Sequence, residues 1–313
     1  MEKRKRIFIL GGTGYVGSAV VRNLSVKKND YTLLMLTRRA QVIKDLEHIN
    51  TWSGNLVSFR LSLVDDFNPD TIIHMARMGG SDVAGRLIAA LRGKRANKRL
   101  LNHLQNMPHK PHIIYVSGTL AYGDCGTRQV SEDTPVSPVS FARQYIIAEK
   151  PWMKALEEGT YPVSILRPPW IIGNSSWFKV FYINYMRKNG KIPLFGEGYN
   201  LMTFLDVDDC AGLIAHATEI GQPGLYYNLF TPGSCMPQME FASRLSETTG
   251  LPVIRITKQE MEKTFGRTLL EALTFSGHIT TNYPEFISGY RFLYPTVDEM
   301  IRKNLPEDLL HKP

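Results

Sequence analysis

Seven residues near the amino terminus, Gly11-Gly12-Thr13-Gly14-Tyr15-Val16-Gly17, have the types and spacing of a phosphate cradle. Gly11 allows a tight turn, Gly14 lets backbone N–H groups approach a pyrophosphate with no Cβ in the way, and Gly17 lets a helix lie close on a strand. A helix opening there would also aim the positive end of its dipole at the phosphates. Thr13, Tyr15 and Val16 complete the loop and its first helical turn. Further on, Thr37-Arg38-Arg39 stands where an NAD-selective protein usually carries an acid that accepts from the ribose 2′-hydroxyl. Guanidinium groups pair with phosphate bidentately and cannot replace that acceptor, so Arg38 and Arg39 point to NADP(H) over NAD(H).

Such a loop works only between a strand and a helix, and the surrounding pattern supplies both. Short apolar runs bounded by turn residues recur at Ile7–Leu10, Thr32–Leu36, Leu56–Phe59, Thr71–His74, Ile113–Val116 and Val163–Leu166. Segments of helical period lie between them, Ser18–Leu24 first. This alternation predicts βαβ units and a doubly wound, Rossmann-type parallel sheet with helices on both faces. After Pro168 aromatic residues become frequent, and helical stretches return at Asp208–Thr218, Gln238–Thr249 and Asp298–Asn304. The expected organisation is an NADP(H)-binding domain over 1–168 and a smaller C-terminal substrate-side lobe over 169–313 that shares the sheet and does not fold alone.

The chain of 313 residues carries a formal charge of +8. Its cations are spread out and match no nucleic-acid-binding spacing, so an anionic small ligand accounts for the bias and no nucleic-acid partner is expected. Cys125, Cys210 and Cys235 form neither a metal pattern nor an even set, which suits a reducing cytoplasm and predicts no metal. The apolar run after Met1-Glu2-Lys3-Arg4-Lys5-Arg6 is too short for a signal core or a membrane span, so a cytoplasmic protein without membrane contact is expected.

Several strings, in order, resemble the extended short-chain dehydrogenases/reductases, the group of nucleotide-sugar epimerases, dehydratases and related reductases. The glycine motif leads. Ile72-Ile73-His74-Met75-Ala76 is similar to the family's fourth strand, Tyr115-Val116-Ser117-Gly118-Thr119 with Ala121-Tyr122-Gly123 to its fifth, and Leu166-Arg167-Pro168-Pro169-Trp170-Ile171-Ile172-Gly173 to its sixth. Phe204-Leu205-Asp206-Val207-Asp208-Asp209 resembles a late segment ending in V-D-D, and Tyr226-Tyr227-Asn228-Leu229 the strand after it. The resemblance implies that Met75, Ala76, Ser117, Pro168 and Trp170 border the cofactor. It leaves a homodimer open. His74 reads as a packed strand-end residue.

The family's proton relay is missing. The Ser/Thr on the fifth strand falls on Gly118, the acid/base Tyr on Phe141 and the Lys four residues later on Tyr145, with Glu149 in register with a family Glu. A phenyl ring has no exchangeable proton, and a phenol does not supply an ammonium's charge. An alternative register makes Tyr145 the acid and puts Glu149 at the Lys position. Two functions follow. One is an atypical NADP(H)-dependent reductase, or a redox-neutral isomerase or dehydratase, acting on a small apolar or ring-bearing carbonyl metabolite. Its displaced donor would be Tyr145, Tyr122 or Thr119, with Tyr145 first because i and i+4 share a helix face. The run Trp170, Asn174, Trp177, Tyr182, Tyr185 and Arg187 would hold the ligand. The other is a non-catalytic NADP(H)-sensing or assembly subunit on the same fold.

Overall fold

The structure, a computed structural model, describes residues 4–27, 29–38, 49–80 and 82–310; Arg39 lies outside them. Two compact units interleave along the chain, one made of 1–117, 144–167 and 211–227, the other of 118–143, 168–210 and 228–313.

The first unit is built on a seven-stranded sheet. Its strands are β1 (Lys5–Leu10), β2 (Tyr31–Thr37), β3 (Asn50–Ser53), β4 (Thr71–His74), β5 (His112–Val116), β6 (Val163–Arg167) and β7 (Tyr226–Asn228), in the order β7-β6-β5-β4-β1-β2-β3. Strands β1 to β6 pair in parallel. Helices α1 (Tyr15–Ser25), α2 (Ser62–Phe67), α3 (Val83–Gln105) and α4 (Arg143–Glu157) complete the crossovers. The order reverses at β1, and such a reversal opens a crevice at the carboxyl ends of the strands. Ile7, Phe8, Ile9 and Leu10 are all buried, as a strand covered on both faces requires. This is the Rossmann-type α/β fold that the alternation predicted.

One expected strand is displaced. Leu56–Phe59 does not extend, because the Asn55 side chain accepts from the N–H groups of Val57 (3.0 Å) and Ser58 (3.2 Å) and curls the backbone into a turn. Leu56 and Phe59 still pack into the core, while the more polar Asn50–Ser53 pairs with β2 at the sheet edge. Burial decided the side chains here, and local Asn chemistry decided the backbone.

Two histidines of this unit predict an acid-side instability. His74 is fully buried, with Nε2 2.9 Å from Asn97 Oδ1, and His112 Nε2 lies 2.8 Å from Ser164 Oγ. Burial pushes both imidazoles from 6.5 down to about 4, and Lys5 adds to the effect on His112. The unfolded chain takes up protons below 6.5, whereas the folded chain resists until about 4, so the stability held above 6.5 is lost as pH falls across that window. Each histidine contributes up to about 3 kcal/mol of that loss. The expected result is a melting temperature that falls steadily over this window, with a flatter curve for His112→Gln; identical curves for the variant and the parent would contradict it.

The second unit holds its own core, which takes in Tyr182 and against which Trp170 and Trp177, also among the aromatics expected to face a ligand, pack partly buried. Phe204 stacks on Phe241 at 4.6 Å, and Trp177 meets Tyr182 edge-on at 5.7 Å. Phe178 and Tyr182 are buried among Phe195, Phe241 and Met300. Arg187 is spent on an exposed bidentate pair with Asp308 (2.7 and 2.8 Å). Edge-to-face rings fill volume in a unit that is short of aliphatic strands, so a run rich in Trp, Phe and Tyr marks core as readily as a binding wall. Among the described residues, no helix is long and apolar enough to cross a membrane.

Candidate functional site

The glycine loop joins β1 to α1 as its composition demands. Gly11 has φ +90°, and a Cβ there would meet Ala76 N at 2.6 Å and Met75 C at 2.7 Å. The loop therefore lies against the segment leaving β4, where Met75 N donates to Leu10 O (2.8 Å). A Cβ on Gly17 would stand 2.1 Å from Gly11 O, so the helix reaches the strand only through a glycine. Gly14 caps α1 without a side-chain bond, and the first intrahelical bond runs from Ser18 N to Gly14 O (2.8 Å). The N–H groups of Tyr15, Val16 and Gly17 precede it and have no acceptor within the helix.

A cleft of about 580 Å³ runs from this loop along the carboxyl ends of the strands, lined among others by Gly11, Thr13, Gly14, Thr37, Arg38 and Asn55. Among the described residues, no Asp or Glu lines it. Arg38 stands exposed just beyond β2, and Thr37 is buried with its carbonyl accepting from Gly54 N (2.9 Å). A cradle that a Cβ would fill and a helix N-terminus without a side-chain cap bond fit a nicotinamide dinucleotide.

Deeper in the first unit, charged groups are ordered around Ser117. Its Oγ donates to Glu149, whose other oxygen takes the Arg167 guanidinium at 3.4 Å; Glu149 and Arg167 are each 1% exposed. Arg167 also lies 4.5 Å over the Tyr226 ring, and the Tyr226 hydroxyl donates to Glu157 (2.9 Å). A buried pair of this kind adds little net stability, but loss of one partner leaves an uncompensated charge at a cost of about 3–5 kcal/mol. Its effect here is to fix Ser117 and the end of β5. Arg77 reaches the same place, donating to Ser117 O (2.5 Å) with its guanidinium carbon 4.6 Å over the Tyr145 ring.

Tyr145 is half-buried on α4 and lines a small chamber with Arg77, Arg86, Gln144 and Tyr115. The helix begins at Arg143, after a turn in which Val139 O accepts from Ala142 N (2.8 Å) and Arg143 N (3.1 Å), so Phe141 precedes the helix. What singles out Tyr145 is Arg77, a cation delivered from another part of the chain.

The remaining candidates lie in the second unit. Thr119 is buried at the start of a single 3-10 turn, its N–H donating to Pro168 O (3.0 Å). The Tyr122 hydroxyl donates to Asn228 Oδ1 (2.8 Å), while Asn228 Nδ2 donates to Thr280 O (2.9 Å), which makes that phenol a structural tie. Gly118 is extended at φ 176°, and a Cβ would meet only Pro168 O at 3.7 Å, so the backbone does not exclude a serine there. Trp170 pairs with Phe204 in a short parallel ladder, and its indole N–H is buried with no acceptor among the described residues. Arg86 and Asn55 went unnoticed in the sequence. The available signal for Arg86 was the absence of any acid between Asp82 and Asp124.

The profile of the NAD dependent epimerase/dehydratase family matches residues 7–229. The Epimerase family protein SDR39U1 of Bos taurus is 21% identical over 302 residues, covering 95% of this chain and 99% of its own length. The dTDP-D-glucose 4,6-dehydratase of Homo sapiens is 24% identical over 244 residues, covering 72% and 69%. Among solved structures, human epimerase family protein SDR39U1 (isoform 2) with NADPH superposes with TM-score 0.75 at 17% identity, over 95% of this chain and 98% of that one. The dTDP-glucose 4,6-dehydratase of Bacillus anthracis in complex with NAD gives TM-score 0.75 at 17% identity, over 96% and 95%. At these identities the superpositions show the fold.

Proposed function

The chain belongs to the NAD dependent epimerase/dehydratase family, and from that premise we propose that it is an NADP(H)-dependent enzyme which reduces, isomerises or dehydrates a small carbonyl-bearing metabolite with Tyr145 as proton donor. The observation that carries this reading is the cleft running from the glycine cradle to Arg38, with no acid among its described lining residues and with Tyr145 and Arg77 lining the adjoining chamber. The amides of Tyr15, Val16 and Gly17 would hold the pyrophosphate, and Arg38 the 2′-phosphate. Bound NADPH supplies the hydride. Tyr145 would give its phenolic proton to the reacting oxygen, while Arg77, pinned by Ser117 O, keeps a positive charge over the ring. This pair replaces a Tyr and Lys spaced along one helix with a Tyr and Arg brought together by the fold.

Arg38→Ala should weaken NADPH by about 10- to 150-fold, the worth of a charged hydrogen-bonding partner, and leave NADH within about threefold. Calorimetric titration of both cofactors reads this directly, and equal losses would remove Arg38 from the 2′-phosphate. NADPH consumption is then to be followed against aldehydes, ketones, enones and oxo-acids. Tight NADPH binding with no turnover of any class would favour the non-catalytic subunit.

A further inference from the structure

The small chamber beside the cleft shares Leu56, Ala76, Arg77, Met78 and Gly79 with it and has a volume of about 90 Å³. Its helical walls include the small residues Ala89, Ala90 and Gly93 of α3 and Ala148 of α4, with the amides of Asn97 and Gln144 beside them. Among the described residues two cations line it, Arg77 and Arg86, and no Asp or Glu does. Among the described residues neither guanidinium pairs with a carboxylate. The nearest acid in sequence, Asp82, is exposed and turned onto Gly85 N (2.7 Å) as the α3 cap.

Both arginines line the chamber. Arg77 gives a donor to Ser117 O and its face to Tyr145, which leaves further edge donors of a group that has five. Arg86 is half-buried in the first turn of α3, where the helix dipole adds positive potential. Arg77 is exposed and Arg86 half-buried; two guanidiniums lining one chamber without a counter-charge repel each other, and a bound anion relieves that repulsion. The dinucleotide's pyrophosphate already has the amides of the α1 terminus.

We propose that the Arg77–Arg86 chamber binds the carboxylate of the substrate, which makes that substrate a small carbonyl-bearing carboxylic acid. The inference rests on the reading of the adjoining cleft as the dinucleotide site. It differs from the apolar or ring-bearing ligand expected from the sequence, since of that aromatic run Tyr182 is buried in the core of the second unit. A carboxylate gripped by the two forks sets the neighbouring carbonyl beside Tyr145, and the chamber's size admits a planar two-oxygen group and little more.

Oxalate is the probe. Calorimetric titration of the purified protein should show oxalate binding both in the absence of cofactor and at saturating NADP⁺. Arg86→Gln should weaken oxalate by about 10- to 150-fold and leave NADP⁺ affinity unchanged, whereas Arg38→Gln should do the reverse. Absence of oxalate binding to the parent protein, or equal binding to Arg86→Gln, would overturn the proposal. Displacement of oxalate by NADP⁺ would also overturn it, since the chamber would then be part of the cofactor's own phosphate site. Arg86-dependent oxalate binding in a protein that ignores NADP⁺ would support the anion site and dispose of the dinucleotide reading instead.

Discussion

Gly14→Val is expected to give a folded protein whose affinity for a dinucleotide is reduced by about 100-fold or more, the equivalent of losing a few kcal/mol of phosphate contacts. Gly14 has φ −76° and ψ 173°, values open to any residue, and its Cβ would meet only Gly11 O at 3.2 Å. The backbone can therefore accept a side chain with a small adjustment. The rest of the valine has nowhere to go but the cleft that Gly14 lines, ahead of the uncapped amides of α1. Gly17→Ala provides the contrast. Its Cβ would lie 2.1 Å from Gly11 O, so the loop itself must move, and both melting temperature and affinity should fall. A titration in which Gly14→Val binds NADPH as the parent does would show that this loop holds no phosphate.

The second large effect is on turnover. Tyr145→Phe should lower the rate by about 10²–10⁴-fold, the usual contribution of a positioned acid, with cofactor affinity almost unchanged. The substitution removes only the hydroxyl, and the phenyl ring can still lie under Arg77, so packing and charge stay in place. Restoring the family's residues with Phe141→Tyr and Tyr145→Lys should not recover the rate. The new ammonium would face Arg77, a like charge. A faster double variant together with an unaffected Tyr145→Phe would mean that Tyr145 is not the donor.

The parts of the molecule governed by local rules were legible. Runs such as Ile7–Leu10 and Ile113–Val116 are buried on both faces and allow no other placement, and the glycine loop carries its own geometry at Gly11 and Gly17. What was lost depended on contacts between distant segments. Leu56–Phe59 has a strand's composition, but Asn55 turns the backbone, and a count of apolar residues does not see a side-chain acceptor. Trp177 and Tyr182 have the composition of a ligand wall and the position of a core. Tyr145 was reached by spacing along a helix that does not extend to Phe141, and the partner that distinguishes it, Arg77, lies 68 positions earlier in the chain. Arg86 could be placed beside Arg77 only once the path from β4 into α3 was known.

The central claim is that this cleft binds a nicotinamide dinucleotide and selects the 2′-phosphate. Calorimetric titration of the purified protein with NADPH and with NADH, at one ionic strength, tests it most directly. One site per chain is expected, filled by NADPH at least about tenfold more tightly than by NADH, as one guanidinium–phosphate contact allows. Binding of neither cofactor, or tighter binding of NADH, would contradict the account.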